Sequence, residues 1–272
     1  MAESAKKVLF VNSEIFPYVP ENEISQLGRN LPHGIQELRH EIRSFMPRYG
    51  CINERKNQLH EVIRLSGMNI IIGDVDRPLV IKVASIAAAR LQVYFIDNED
   101  YFKRKFIYTD AGGQYFADNG ERAIFFARGV LETVKKLRWA PDIIHCNGWI
   151  SQLLPVYLKK IYKDDPIFSN SKIVLSLYGD TPRQSFSPGF RETIAFGQLK
   201  PEDIALPDEV TGIELAKFAA GYADGVIIGS EQVEQELCDF ALGLPVPVLP
   251  YDAKAHADGS YVEQYNSFYE KI

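Results

Sequence analysis

The chain has 272 residues, enough for one large domain or two small ones with a real core. Apolar residues make up 46% and charged residues 24%, the balance of a globular protein. The formal net charge of −6, with no basic run longer than Lys103-Arg104-Lys105, argues against a surface for nucleic acid or another polyanion. Cys51, Cys146 and Cys238 are widely spaced and form no CxxC pair. They fit neither a disulfide framework nor a zinc site, and they point to reduced thiols. The polar start is followed only by the short apolar run Val8 to Val11, too little for a signal-peptide core, and no stretch approaches a membrane span. A cytoplasmic protein with no membrane or nucleic-acid partner is the expectation.

In chain order, KVLFVN at Lys7 to Asn12 reads as a buried parallel strand. A helix from Glu23 to Leu38 and a strand from Glu41 to Met46 complete an opening βαβ unit. Between Leu59 and Phe95, the runs HEVIRL, MNIIIGDV, PLVIKVAS and RLQVYFI read as a strand meander. Turns are expected at Ser66-Gly67 and Asp76-Arg77-Pro78. Asp118, with Glu121 three residues on, reads as a capping box opening a helix to about Arg138. Asp142 to His145 is a strand, Ile150 to Tyr162 a helix, Lys172 to Leu177 a strand, Thr211 to Tyr222 a helix and Gly225 to Ile228 a strand. Ser230 is expected to cap a helix reaching Phe240. This alternation predicts an α/β fold, a single Rossmann-like doubly wound parallel sheet with helices on both faces. Its functional edge lies at the C-terminal ends of the strands. The domain is expected to span 1–241. A Pro- and Gly-rich connector follows at 242–260, and then a docking helix at 261–272 with Tyr265, Phe268, Tyr269 and Ile272 on one stripe.

Generic motifs are sparse. No GxGxxG follows a strand, and there is no P-loop, GxSxG or HExxH. No cofactor or metal is expected. Gly112-Gly113 precedes Tyr-Phe rather than a helix start and reads as a plain turn. His145 ends a strand where open α/β sheets place ligands, although a lone His there is more often structural. Trp149 is suited to stack on a sugar or to fill the core.

Ordered blocks give these residues a context. Ser13-Glu14-Ile15-Phe16-Pro17, Leu31-Pro32, Met46-Pro47-Arg48-Tyr49-Gly50, Tyr101-Phe102-Lys103-Arg104 and YFADNGERAIFF at Tyr115 to Phe126 come first. PDIIHCNGW at Pro141 to Trp149, Leu154-Pro155-Val156-Tyr157-Leu158 and KFAAGYADGVIIGS at Lys217 to Ser230 follow. Their sequence and spacing resemble the bacterial glycogen synthases and plant starch synthases from about Lys7 to Ser230. The resemblance implies the N-terminal half of a glycosyltransferase-B fold. It also implies a family activity that transfers glucose from ADP-glucose to the end of an α-1,4-glucan with retention of configuration.

Two departures qualify that implication. After Ser230 too few residues follow for the family's second, nucleotide-binding domain, which supplies the cations that neutralise the leaving diphosphate. That domain is therefore expected to be absent from this chain. The family's K-[TV]-G-G block, aligned without a gap, falls on Pro20, Glu21, Asn22 and Glu23. The two glycines, which let backbone N–H groups approach an anion, become Asn22 and Glu23, and Glu21 beside them adds a second acidic side chain. In the PDVVHxHDW block His145 and Trp149 match, but the Asp falls on Gly148. The His and Asn of T-[IV]-H-N fall on Tyr178 and Gly179.

The function expected is therefore a glycogen synthase-like protein of α-glucan metabolism, non-catalytic alone and acting as a binding or regulatory subunit. The alternative is the N-terminal half of a split, active synthase completed by another chain. The partner expected is an α-glucan or a protein of glycogen metabolism, with ADP-glucose bound weakly or not at all. Candidate binding residues are His145, Asn147, Trp149, Tyr178 and Arg183, and no residue is assigned a catalytic role.

Overall fold

A computed structural model describes residues 5–195, 197 and 199–272; the first four residues of the polar start lie outside the described residues. The elements run β1 (Lys7–Asn12), α1 (Glu23–Glu37), β2 (Glu41–Pro47), β3 (His60–Glu61), β4 (Met68–Ile72), β5 (Val75–Ile86), β6 (Leu91–Asp97), α2 (Glu99–Phe102), α3 (Asn119–Leu137) and β7 (Ile143–Asn147). There follow α4 (Leu153–Lys160), β8 (Lys172–Leu177), α5 (Phe190–Ala195), α6 (Gly212–Ala220), β9 (Gly225–Ile228), α7 (Gln235–Leu242), β10 (Val248–Leu249), α8 (Ala253–Asp258) and α9 (Tyr261–Tyr269).

The strands form one open sheet in the order β10-β9-β8-β7-β1-β2-β6-β5-β3, with β4 also paired to β5. From β10 to β6 every pairing is parallel, and β5 turns the remaining edge antiparallel. Parallel strands must be covered on both faces, so β1 is apolar from Val8 to Val11, and all four residues are fully buried. Chain order reverses at β1, with β2 on one side and β7 on the other. Such a switch point leaves a crevice beyond the strands' C-terminal ends.

Two cores sandwich the sheet. The larger holds α3, with Phe125, Phe126, Val130 and Leu131, against Val11, Phe95 and Leu175. The smaller joins Val8, Phe10, Leu31 and Ile35 to Tyr265, Phe268 and Tyr269 of α9. The apolar stripe read from the last residues is therefore a docked face, with all of these aromatic rings buried.

Several local expectations are corrected. The β4–β5 hairpin turns at Gly73-Asp74, since Ile72 pairs with Val75, and Asp76-Arg77-Pro78 lies within β5. The run HEVIRL gives only the two-residue β3. Asp118 makes no side-chain cap; it pairs with Arg104, and Glu121 accepts from the Tyr101 hydroxyl at 2.6 Å. Residues 149–151 form a 3-10 turn, so α4 begins only at Leu153. Ser230 caps no helix: α7 starts at Gln235, and the Ser230 hydroxyl donates to Glu23 at 2.7 Å. The stretch 242–260 carries β10 and α8 rather than serving only as a connector.

Candidate functional site

Three strand exits converge at the crevice. β1 runs into Ser13 and Glu14, β7 into Gly148 and Trp149, and β8 into Tyr178 to Arg183. The N-terminus of α1 closes the group. Its first turn is capped by its own residues: the Asn22 side chain accepts from the Ser25 N–H at 2.8 Å, and Ser25 Oγ accepts from the Asn22 N–H at 2.9 Å. Asn22 also donates to Glu14 Oε2 at 2.6 Å. Such a capping box uses donors that an anion would need.

The neighbourhood is acidic. A cavity of about 290 Å3 lies between α1 and the β8 exit, lined by Asn22, Glu23, Ile24, Gly179, Asp180 and Gln232. Among the described residues, no ion pair with Lys or Arg involves Glu14, Glu21, Glu23, Asp180 or Glu234. Burial pushes the Glu14 carboxyl above its ordinary range, although the Asn22 hydrogen bond pulls the other way. Asp180 accepts from the Trp149 N–H at 2.9 Å, while its Oδ1 is buried without a partner. Burial raises its pKa to about 7.

The structure does not bring the five candidate residues to one surface. His145 is fully buried on the α9 side of the sheet, with Nδ1 2.6 Å from the Tyr269 hydroxyl and Nε2 2.6 Å from Ser176 Oγ. Asn147 is buried between Asn12 and Tyr178, donating to Asn12 Oδ1 at 3.1 Å and accepting from the Tyr178 hydroxyl at 3.0 Å. The second His of the HDW-type block aligns with Asn147, so His145 corresponds to the block's first His. Trp149 is buried against Tyr108 and Phe186, with ring centroids 5.0 and 5.9 Å away. Tyr178 is buried too, and Arg183 alone among the five is exposed. Pro20, Glu21, Asn22 and Glu23 are all exposed, and Asn22 and Glu23 line the cavity.

Residues that the sequence reading passed over also build the site. The Tyr49 hydroxyl donates to the Ser13 carbonyl at 3.0 Å and lies 2.9 Å from the Tyr108 hydroxyl. Tyr49 sat inside a matched block and Glu14 inside another, so both were visible as positions. Asp180 and Tyr108 carried no local signal.

Opposed pH dependences follow. Asp180 rises from 3.8 to about 7, so the folded protein holds a proton that the unfolded chain releases. Its contribution falls as pH climbs through that window. His145 is lowered by burial from 6.5 to about 3, so the unfolded chain takes up the proton and stability is lost as pH falls through that window. Asp180→Asn keeps an acceptor for the Trp149 N–H but removes the ionisation. It is expected to raise stability over wild type at about pH 8 and to change it little near pH 4. Urea unfolding at both pH values checks this; an equal shift at both would assign the effect to packing.

Residues 7–246 match the family described as "Starch synthase catalytic domain". A glycogen synthase of Chlorobium limicola is 39% identical over 206 residues, covering 75% of this chain and 41% of its own length. A glycogen synthase of Pelodictyon phaeoclathratiforme is 32% identical over 278 residues, covering 98% of this chain and 55% of its own length. The chain thus spans about half the length of the curated relatives it matches. Among solved structures, the catalytic domain of starch synthase IV from Arabidopsis thaliana, bound to ADP and acarbose, superposes with a TM-score of 0.70. At 15% identity, covering 93% of this chain and 53% of that one, it supports the fold alone. The ordered blocks, the parallel sheet and the family match over most of the chain agree, and this protein belongs to the starch synthase catalytic-domain family, with bacterial glycogen synthases among its relatives.

Proposed function

We propose that this chain acts in α-glucan metabolism as a binding or regulatory protein and does not itself transfer glucose from ADP-glucose. The observation that carries the reading is the state of the α1 N-terminus. Where the family pattern places a Lys and two glycines, this chain has a self-capped helix start, an acidic rim and a cavity bordered by Glu23 and Asp180. A diphosphate there would meet like charge, at ~1 kcal/mol per pair at 4 Å in water and several-fold more at lower dielectric. A cytoplasmic setting fits the free thiols of Cys51, Cys146 and Cys238.

A glucan or protein partner would meet the strand-exit face through exposed Arg183. Trp149 and Tyr178 are buried at the exits of β7 and β8, where Asn147 accepts from the Tyr178 hydroxyl, while His145 is held by Tyr269 and Ser176. Arg183→Ala is expected to weaken glycogen binding without moving the melting temperature. Tyr178→Ala is expected to lower the melting temperature, because it removes a buried ring and its bond to Asn147.

The decisive test is incorporation of glucose from ADP-glucose into glycogen by the purified chain, paired with calorimetry of ADP. No incorporation above a protein-free control and no affinity at the micromolar level, ~−8 kcal/mol, are expected. Turnover on the order of 1 s−1 or faster would overturn the reading. A second reading, the N-terminal half of a split synthase, is favoured by the match to about half of each relative. It predicts incorporation once a chain carrying the other half is added.

A further inference from the structure

The two ends of the sheet carry opposite charge. At one end, around the edge strand β3, Arg55, Lys56 and Arg64 are all exposed, and among the described residues none of the three forms an ion pair. The carboxylates of that stretch are Glu54, held by Lys82 at 2.7 Å, and Glu61. At the other end α7 and α8 flank β10, with Leu237 of α7 in the larger core and Ala255 of α8 in the smaller. Residues 231–258 carry six carboxylates, one lysine and no arginine.

Each end also holds out apolar side chains. Ile63, 83% exposed beside Arg64, and Leu242, 57% exposed at the end of α7, are the two most exposed large apolar residues among those described. Phe240 is 36% exposed next to Leu242. Around the α7 axis, Glu236, Asp239, Phe240 and Leu242 fall on the outer face, and Leu237 and Ala241 on the buried one. Single apolar residues on a surface are ordinary. Here they coincide with opposite charge at opposite ends of one sheet. The edge strands themselves are poor templates for a further strand. β3 has only two residues, and β10 stands between Pro247 and Pro250, which lack the N–H that a new strand needs. Any contact at these ends is therefore made by side chains.

Charge decides which ends meet. Two copies joined through the same end would set like charges against each other, whereas opposite ends bring arginine and lysine to aspartate and glutamate around an apolar centre. We propose that copies of this chain associate head to tail, the basic β3 end of one seated on the acidic α7 face of the next. Ile63 then packs against Phe240 and Leu242, and Arg55, Lys56 and Arg64 face Glu236 and Asp239. A contact between two different surfaces repeats, so it builds a ring or an open chain rather than a closed pair. The crevice beyond β1, β7 and β8 lies at the middle of the sheet and stays open in every copy. That such an array grips one glucan at several points rests on the function proposed above; the association itself does not.

The test is sedimentation velocity of the full chain across a range of micromolar concentrations. At low salt the mean mass is expected to climb with concentration beyond that of two copies. It is expected to fall back toward the monomer at about 1 M salt, where the screening length is only about 3 Å. Ile63→Asp spoils the basic end, and the double variant Phe240→Ser with Leu242→Ser spoils the acidic end. All three side chains are exposed, so both variants should melt near the wild-type temperature, and each alone should sediment as a monomer. Mixed in equal amounts, they pair through the one intact end that each retains, and growth stops at two copies. Wild-type chains that stay monomeric at every concentration would overturn the proposal, whatever other partner those ends then take. A wild-type assembly that stops at two copies, or variants that mixing does not rescue, would overturn it in favour of a two-fold contact. Assembly that both variants retain would place the contact elsewhere and overturn it too.

Discussion

A chain cut before Tyr261 is expected to lose its cooperative thermal transition. α9 contributes Tyr261, Tyr265, Phe268 and Tyr269, none more than 8% exposed, to the smaller core. Each large apolar side chain withdrawn from water stabilises by ~1.5–3 kcal/mol. Together they rival the ~5–15 kcal/mol that holds a typical domain folded. The loss reaches further. The Tyr269 hydroxyl is the partner of His145 Nδ1, so removal also takes away a buried hydrogen bond in the middle of the sheet. Val262 packs where a Cβ on Gly34 of α1 would fall, 2.7 Å from its Cγ1, so α1 would also lose its cover. Circular dichroism and calorimetry of the truncated chain check this. A melting temperature equal to that of the intact protein would show α9 to be a dispensable tail.

The second large effect concerns Gly148. Restoring the family's Asp there is expected to cost roughly 4 kcal/mol or more, from backbone strain and steric overlap together. Gly148 has φ +82° and ψ 164°, a region that is essentially glycine's alone. A Cβ there would stand 2.2 Å from Ser13 Oγ and 2.8 Å from Asp180 Oδ2. The Asp180 carboxylate thus borders the space that a side chain at 148 would enter. Gly179 is similarly closed, with a Cβ falling 2.7 Å from that of Gln232. The departures at 148 and 179 are therefore accommodated by their neighbours. Gly148→Ala isolates the strain and overlap from the charge, and it should account for most of the loss in urea unfolding. If Gly148→Asp unfolded at the same urea concentration as wild type, the site would have to be plastic.

The strands were legible because parallel strands are continuous apolar runs. β1, β8 and β9 fall where the pattern placed them, and β2 ends one residue later. The expected local caps failed, and those failures share a cause. Asp118 pairs with Arg104, Glu121 serves Tyr101, and Ser230 serves Glu23, 207 residues away in sequence. A partner brought in by the fold outcompeted the neighbour that a local reading favours. The site was legible as positions but not as orientations. His145 and Asn147 share a face by the two-residue period, and that face looks toward α1 and α9. Nothing in the local sequence marked that face as covered, since the cover arrives from residues 261–272.

That late cover has a consequence for biosynthesis. Lys6 Nζ pairs with Glu270 at 3.1 Å, and Val8 and Phe10 of β1 lie in the same core as Tyr265 and Tyr269. β1 therefore keeps the part of its apolar face that α9 covers exposed until residues 261–272 have been made. Nascent chains stalled short of that point should present β1 and α1 to proteases and chaperones, and protection should arrive in a single late step rather than element by element.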